Sequence, residues 1–219
     1  MSIVLLGSTS GSVTLQEPAV AGTTTLDLPA TSGTVVVGSS AVSAAGQIPF
    51  STNGTTYTPT AKIVSGTAVA STSGTSIDFT SIPSWVKRIT VMFDGVSTNG
   101  SSNYLIQIGD SGGIETTSYT GSSSRIATSV ATSNFTTGFG INNGTQTAGY
   151  LCQGMMVISL LRASTNTWCA SGTFGDSSTA VTTTSGGSKS LSDLLTQLRI
   201  TTVNGTDTFD AGTINILYE

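Results

Sequence analysis

The sequence predicts an all-β protein, with an N-terminal arm of strand-and-turn repeats ahead of an antiparallel β-sandwich body of jelly-roll type. Three observations carry this. Threonine (40), serine (34) and glycine (26) supply almost half of the 219 residues, while charged residues are only 8%, against about 25% in typical soluble domains. Apolar residues alternate with polar ones at period two, the spacing that places one side of a strand in a core. Asn-Gly pairs recur at Asn53-Gly54, Asn99-Gly100, Asn143-Gly144 and Asn204-Gly205, and this dipeptide suits tight hairpins because both residues tolerate positive φ.

The arm comes first. TLQEPAVAGT (residues 14–23) and TLDLPATSGT (25–34) share the pattern T-L-x-x-P-A-x-x-G-T at an offset of eleven residues. Each copy reads as a short Thr/Leu strand stopped by a proline that cannot donate to a ladder, then turned by glycine. Only eight large apolar side chains (Val13, Leu15, Val20, Leu26, Leu28, Val35, Val36, Val37) lie in this stretch, too few to offset the entropy of ordering it. The arm, residues 1–37, is therefore expected to order against partner chains, with Leu15, Pro18, Leu26, Leu28 and Pro29 as its assembly residues.

A Gly/Ser/Thr-rich connector follows over residues 38–75, in which Ile48-Pro49-Phe50 and Tyr57-Thr58-Pro59 suggest short docked pieces. Composition shifts near residue 76: all five prolines lie before residue 84, whereas twelve of fourteen aromatics and fifteen of eighteen charged residues come after residue 76. The body is accordingly placed at 76–219.

Within the body, Ile77 and Phe79 share one face of a first strand, Ile89, Val91 and Phe93 of a second, Tyr104, Ile106 and Ile108 of a third, and Ile214, Ile216 and Tyr218 of the last. Residues 151–161 are apolar on both faces, which predicts a central strand covered on both sides. LSDLLTQL (191–198) is the one segment with helical spacing, two turns at most, and helix and non-helix stand level there. Cys152 and Cys169 flank a hairpin turning at Ala163 to Asn166. Centring the turn there sets Cys169 opposite about Leu160 and leaves Cys152 about eight residues out of register, so both are expected to be buried free thiols.

Several function classes are disfavoured. A net charge of -4 with seven scattered basic residues offers no stripe to follow a phosphate backbone, so no nucleic-acid partner is expected. The longest apolar runs are four residues where a membrane span needs about 20, and the start MSIVLLGSTSG lacks the basic and apolar regions of a signal peptide. We expect synthesis in a cytoplasm and no membrane insertion. Gly109-Asp110-Ser111-Gly112-Gly113 spells the pentapeptide around the nucleophile of chymotrypsin-like proteases, but the chain has no histidine to serve as base. A glycine-rich turn is the expected reading, with no catalytic residue and no cofactor.

Asp207 and Asp210 could at best hold a hard cation, with Asx-type turn stabilisation the stronger alternative. Asp94, Asp110, Glu115 and Asp176 could converge as paired carboxylates only if the fold brings them together. The sequons at Asn53, Asn99, Asn134, Asn143 and Asn204 read as turns. Trp168 reads as core, and Tyr119 stands open between core packing and sugar stacking.

The arm segment SVTLQEPAVAGTTTLDLPATSGTVVV (12–37) resembles one found near the start of tailed-bacteriophage virion proteins of the tail-fibre and minor structural type. The body stretches IPSWVKRITVMF (82–93), residues 107–115 and NGTDTFDAGTINILYE (204–219) are similar to a C-terminal module of such proteins. The resemblance implies a virion-located homotrimer, with residues 1–37 bound to other virion proteins and the body displayed outward. A short adhesin would touch a host surface glycan or receptor through residues 97–103 and 115–124. A head-decoration, cement or head-fibre protein is the alternative.

Overall fold

The computed structural model describes residues 63–141, 147–176 and 180–219, together with the backbone of four earlier strands. The chain divides into two compact units, Met1–Val37 and Gly38–Glu219. In the first, β1 (Ile3–Leu6) and β2 (Ser12–Leu15) pair antiparallel with Ile3 opposite Leu15. Leu15 thus ends β2 where the first repeat begins, whereas Pro18, Leu26, Leu28 and Pro29 lie outside the described residues.

In the second unit, β3 (Gln47–Phe50) and β4 (Thr58–Ala61) form a hairpin of their own. Then follow β5 (Val64–Ser65), β6 (Val69–Ala70), β7 (Ile77–Phe79), β8 (Arg88–Thr98), β9 (Tyr104–Asp110), β10 (Gly113–Ile114), β11 (Thr120–Ile126), β12 (Val130–Phe135) and β13 (Phe139–Ile141). Beyond these come β14 (Cys152–Arg162), β15 (Thr167–Asp176), β16 (Val181–Ser190), β17 (Gln197–Thr202) and β18 (Phe209–Tyr218). One 3-10 turn, Ala163–Thr165, is the only helical element among the described residues. No helix there is long and apolar enough to cross a membrane.

The protein is all-β, and every strand pair is antiparallel. A nine-stranded sheet runs β12-β11-β16-β15-β14-β8-β18, with β5 and β6 both on β18; a five-stranded sheet runs β10-β9-β17-β7, with β13 also on β9. The inner faces of both sheets meet in one core: Ile89, Val91 and Phe93 of β8, Met156 and Ile158 of β14 and Phe174 of β15 pack with Tyr104, Ile106 and Ile108 of β9 and Leu198 and Ile200 of β17. This is the period-two pattern realised, because alternate side chains on a strand reach the same layer. Residues 64–70 belong to the same sheet: β5 and β6 pair with β18, and the buried Ser71 donates its hydroxyl to the Ala211 carbonyl at 2.9 Å.

Four outcomes come from these contacts, three of them corrections and one a decision at residues 191–198, where the sequence leaves helix and non-helix level. First, the strand covered on both sides is β9, buried along all seven residues, whereas β14 exposes Met155 (51%) and Leu161 (57%) on its outer face. Two layers leave an outer face open unless loops cover it. Over β9 the covering loop is that before β13, where the Thr137 carbonyl accepts from Gln107 Nε2 at 2.8 Å. Second, residues 191–196 are not helical. Leu191 and Leu195 are buried, but Thr196 donates its amide to Gly109 and accepts from Ile82, both at 2.9–3.0 Å, so the backbone is committed to its neighbours rather than to a helix. Third, Cys169 faces Ser159 while Leu160 faces Trp168, a one-residue offset next to a register shift between Leu160 and Arg162. Cys152 is buried and Cys169 only half-buried, and both are free; burial, then the Asp176 charge, pushes the Cys152 thiol up to about 12. Fourth, Asn134 lies on β12, not in a turn.

The Asn-Gly pairs within the described residues join different sheets rather than adjacent strands. Asn99-Gly100 leads from β8 to β9 and Asn204-Gly205 from β17 to β18, each a passage between layers. The two corners are fastened together. Thr208 N–H donates to Asn99 Oδ1 at 2.8 Å, and Asp207 accepts from Ser102 N–H at 2.9 Å and from Asn204 Nδ2 at 2.6 Å. Gly100 is required because a Cβ there would stand 2.2 Å from the Asp207 carboxylate.

Candidate functional site

A polar network lies at the end of β9, where GDSGG makes a tight hairpin into β10, with Gly113 opposite Asp110. A Cβ on Gly109 would meet the Gly113 carbonyl at 2.2 Å, so the two strands can approach only with glycine there. Ser111 sits exposed at the turn. The buried Asp110 carboxylate accepts Gly112 N–H at 2.8 Å and the Ser192 hydroxyl at 2.5 Å. Those two donors, Ser192 first, hold the Asp110 carboxyl below its ordinary range.

Glu115 joins the same site. Its Oε1 accepts the Ser192 amide at 2.7 Å and its Oε2 contacts Lys189 Nζ. Burial raises its pKa, but the bonds from Lys189 and Ser192 outweigh that and leave it lowered. Lys189 is only 4% exposed. It projects from β16 into the interior, opposite Trp168 on β15, with Nζ 5.5 Å from the centre of the Tyr119 ring.

Tyr119 is core, 2% exposed and edge-on to Phe139 at 5.1 Å. Its hydroxyl performs a backbone's task. Beside β9, β13 pairs with residues 104–106 and β10 with 109–110. In the gap, the Tyr119 hydroxyl accepts the Ile108 amide at 2.8 Å and lies 3.0 Å from the Glu115 carbonyl it can donate to. Burial pushes its pKa up. Trp168 is core as expected, at 3% exposure.

Of the four carboxylates that could have converged, Asp110 and Glu115 meet at Ser192, while Asp94 pairs along β8 with Thr213 and Asp176 along β15 with Cys152. Asp207 is the corner fastening described above, and Asp210 accepts from the Ser97 hydroxyl. No group of three or more His, Cys, Asp or Glu able to hold a metal ion occurs among the described residues.

The two segments expected to face a receptor divide differently from expectation. Ser97 and Thr98 are buried in β8. In 115–124, Tyr119 and Ser123 point inward, while Thr116 and Thr117 are exposed. These two threonines line a groove of about 540 Å³ over the outer face of the smaller sheet, with Gln107, Thr137, Arg199 and Thr201 among its walls. Arg199 is fixed there by two 2.7 Å bonds to Asp78, one from Nε and one from Nη2. Thr201 donates to the Thr75 carbonyl at 2.9 Å. A second groove, about 460 Å³, runs past Thr120, Ser122, Asn134 and Thr136 over Gly186 and Gly187.

Sequence reasoning missed Lys189, Ser192, Gln107 and Arg199. A signal existed for Lys189: it shares strand parity with the buried Thr183 and Ser185, so period-two counting sends it inward. No family model matches the chain, and no curated protein or solved structure matches it either.

Proposed function

We propose that this chain is a non-enzymatic bacteriophage virion structural protein, a short tail-fibre or adhesin subunit. In this reading residues 1–37 anchor a homotrimer to the particle, and a jelly-roll-like body is displayed for host-surface contact. The observation that carries it is the hydroxyl-lined groove over the smaller sheet, in which Arg199 and Thr201 are held in place by their own partners. Preorganised polar groups around a shallow concavity suit a polyhydroxylated glycan, since little rotamer entropy is lost on binding.

A second reading, a capsid decoration, cement or head-fibre protein, is favoured by the exposed apolar Met155 and Leu161 on the larger sheet, which suit contact with another protein. The two separate by experiment. Purified protein should bind host cells and compete with particle adsorption, and Thr117→Trp, which fills the groove from an exposed position, should abolish this. Particles lacking the protein that adsorb at the normal rate but lose resistance to heat would overturn the fibre reading in favour of the head.

A further inference from the structure

We infer that Lys189 and Glu115 are joined by an intramolecular isopeptide bond that this fold forms on itself, with Ser192, held by Asp110, positioning the carboxyl. The inference is independent of the proposed function. It starts from an unusual placement: an ammonium 4% exposed, inside a sandwich, in direct contact with a carboxylate. The Tyr119 ring lies beside Nζ and Trp168 stands opposite Lys189 on β15, so the ammonium is withdrawn from water while the Glu115 side chain stays 24% exposed. Burying the ammonium carries a desolvation cost that a neutral amide of the same two groups does not.

The surrounding groups match what condensation needs. Glu115 Oε2, in contact with Nζ, is the oxygen that leaves; Oε1, held by the Ser192 amide at 2.7 Å, is the oxygen that stays. That amide is a preorganised donor for the negative charge that develops on Oε1 during attack. Asp110 is the second carboxyl: it accepts the hydroxyl of Ser192, the residue whose amide binds Oε1, and so helps to hold that amide in place.

The step balances without any co-reactant. Lys189 Nζ gives one proton to Oε2 and attacks Cδ of Glu115 with the freed lone pair. The resulting oxyanion on Oε1 takes the Ser192 N–H bond. A second proton passes from Nζ to Oε2, with which it is in contact, the Cδ–Oε2 bond breaks, and water departs. Nζ keeps one hydrogen in the amide, and Oε1 becomes its carbonyl, still bonded to Ser192. The link ties β16 of the larger sheet to the chain leaving β10 of the smaller one, closing the layers covalently at this end.

Mass spectrometry of the full-length, folded protein under denaturing conditions tests this. The chain should be one water lighter than its sequence, and proteolysis should give a branched peptide joining residues 115 and 189, with no tryptic cleavage after Lys189. Lys189→Arg should keep the full sequence mass. A wild-type chain at sequence mass with cleavage after Lys189, or a water loss that maps elsewhere, would overturn the assignment.

Discussion

Replacing Tyr119 by Phe removes one oxygen and leaves the ring where it is. The ring contacts with Phe139 and Lys189 survive, so the change isolates the hydroxyl. What is lost is the acceptor of the Ile108 amide, at 2.8 Å, in a strand whose seven residues are all buried. β10 and β13 leave this position open, so the amide becomes an unpaired buried donor, costing about 1–3 kcal/mol. The Ile108 carbonyl keeps its bond from the Glu115 amide, which holds the total near 2 kcal/mol. For a domain of this size that lowers Tm by roughly 4–8 °C. Urea unfolding should show a lower midpoint at constant m, and hydrogen exchange should accelerate at Ile108 before its neighbours in β17. A loss under about 0.5 kcal/mol with Ile108 still protected would refute the view of Tyr119 as a substitute for a missing strand.

The corner fastening predicts non-additivity. Asp207→Ala should cost about 1–2 kcal/mol by denaturant melts, since Ser102 N–H and Asn204 Nδ2 lose a charged acceptor; Gly100→Ala, severe in the wild type because its Cβ meets that carboxylate, should be mild in the Asp207→Ala background. The Asp110 carboxyl predicts acid sensitivity. Its pKa is lowered in the fold, chiefly by Ser192, so its stabilisation is complete above the unfolded value of about 3.9 and is lost as pH falls through the folded one. Stability measured from about pH 5 down to 2 should therefore fall less steeply in Asp110→Asn than in the wild type.

Strand identity and facing were legible because each strand residue reports its own environment. Ile89, Val91 and Phe93 announce a buried face whichever layer they enter, and all three are buried. The Gly109 to Gly113 turn was legible for the same reason, since glycine and Asp110 fix it locally. Asn99-Gly100 and Asn204-Gly205 mark changes of direction, but whether such a turn closes a hairpin or carries the chain between sheets depends on strands far away. That choice fell to Asp207, 105 residues from Ser102.

The sequence by itself determined the all-β class, the inward faces of β7, β8, β9 and β18, the turn character of GDSGG and the core placement of Trp168. Only tertiary structure decided that β9 is covered on both sides, that residues 191–196 are not helical, and that Lys189 meets Glu115 across 74 residues. The physical reason is range: alternation and turn chemistry act over two to four residues, whereas layering, burial of a charge and the meeting of two carboxyls at Ser192 arise from long-range pairing that no local pattern encodes.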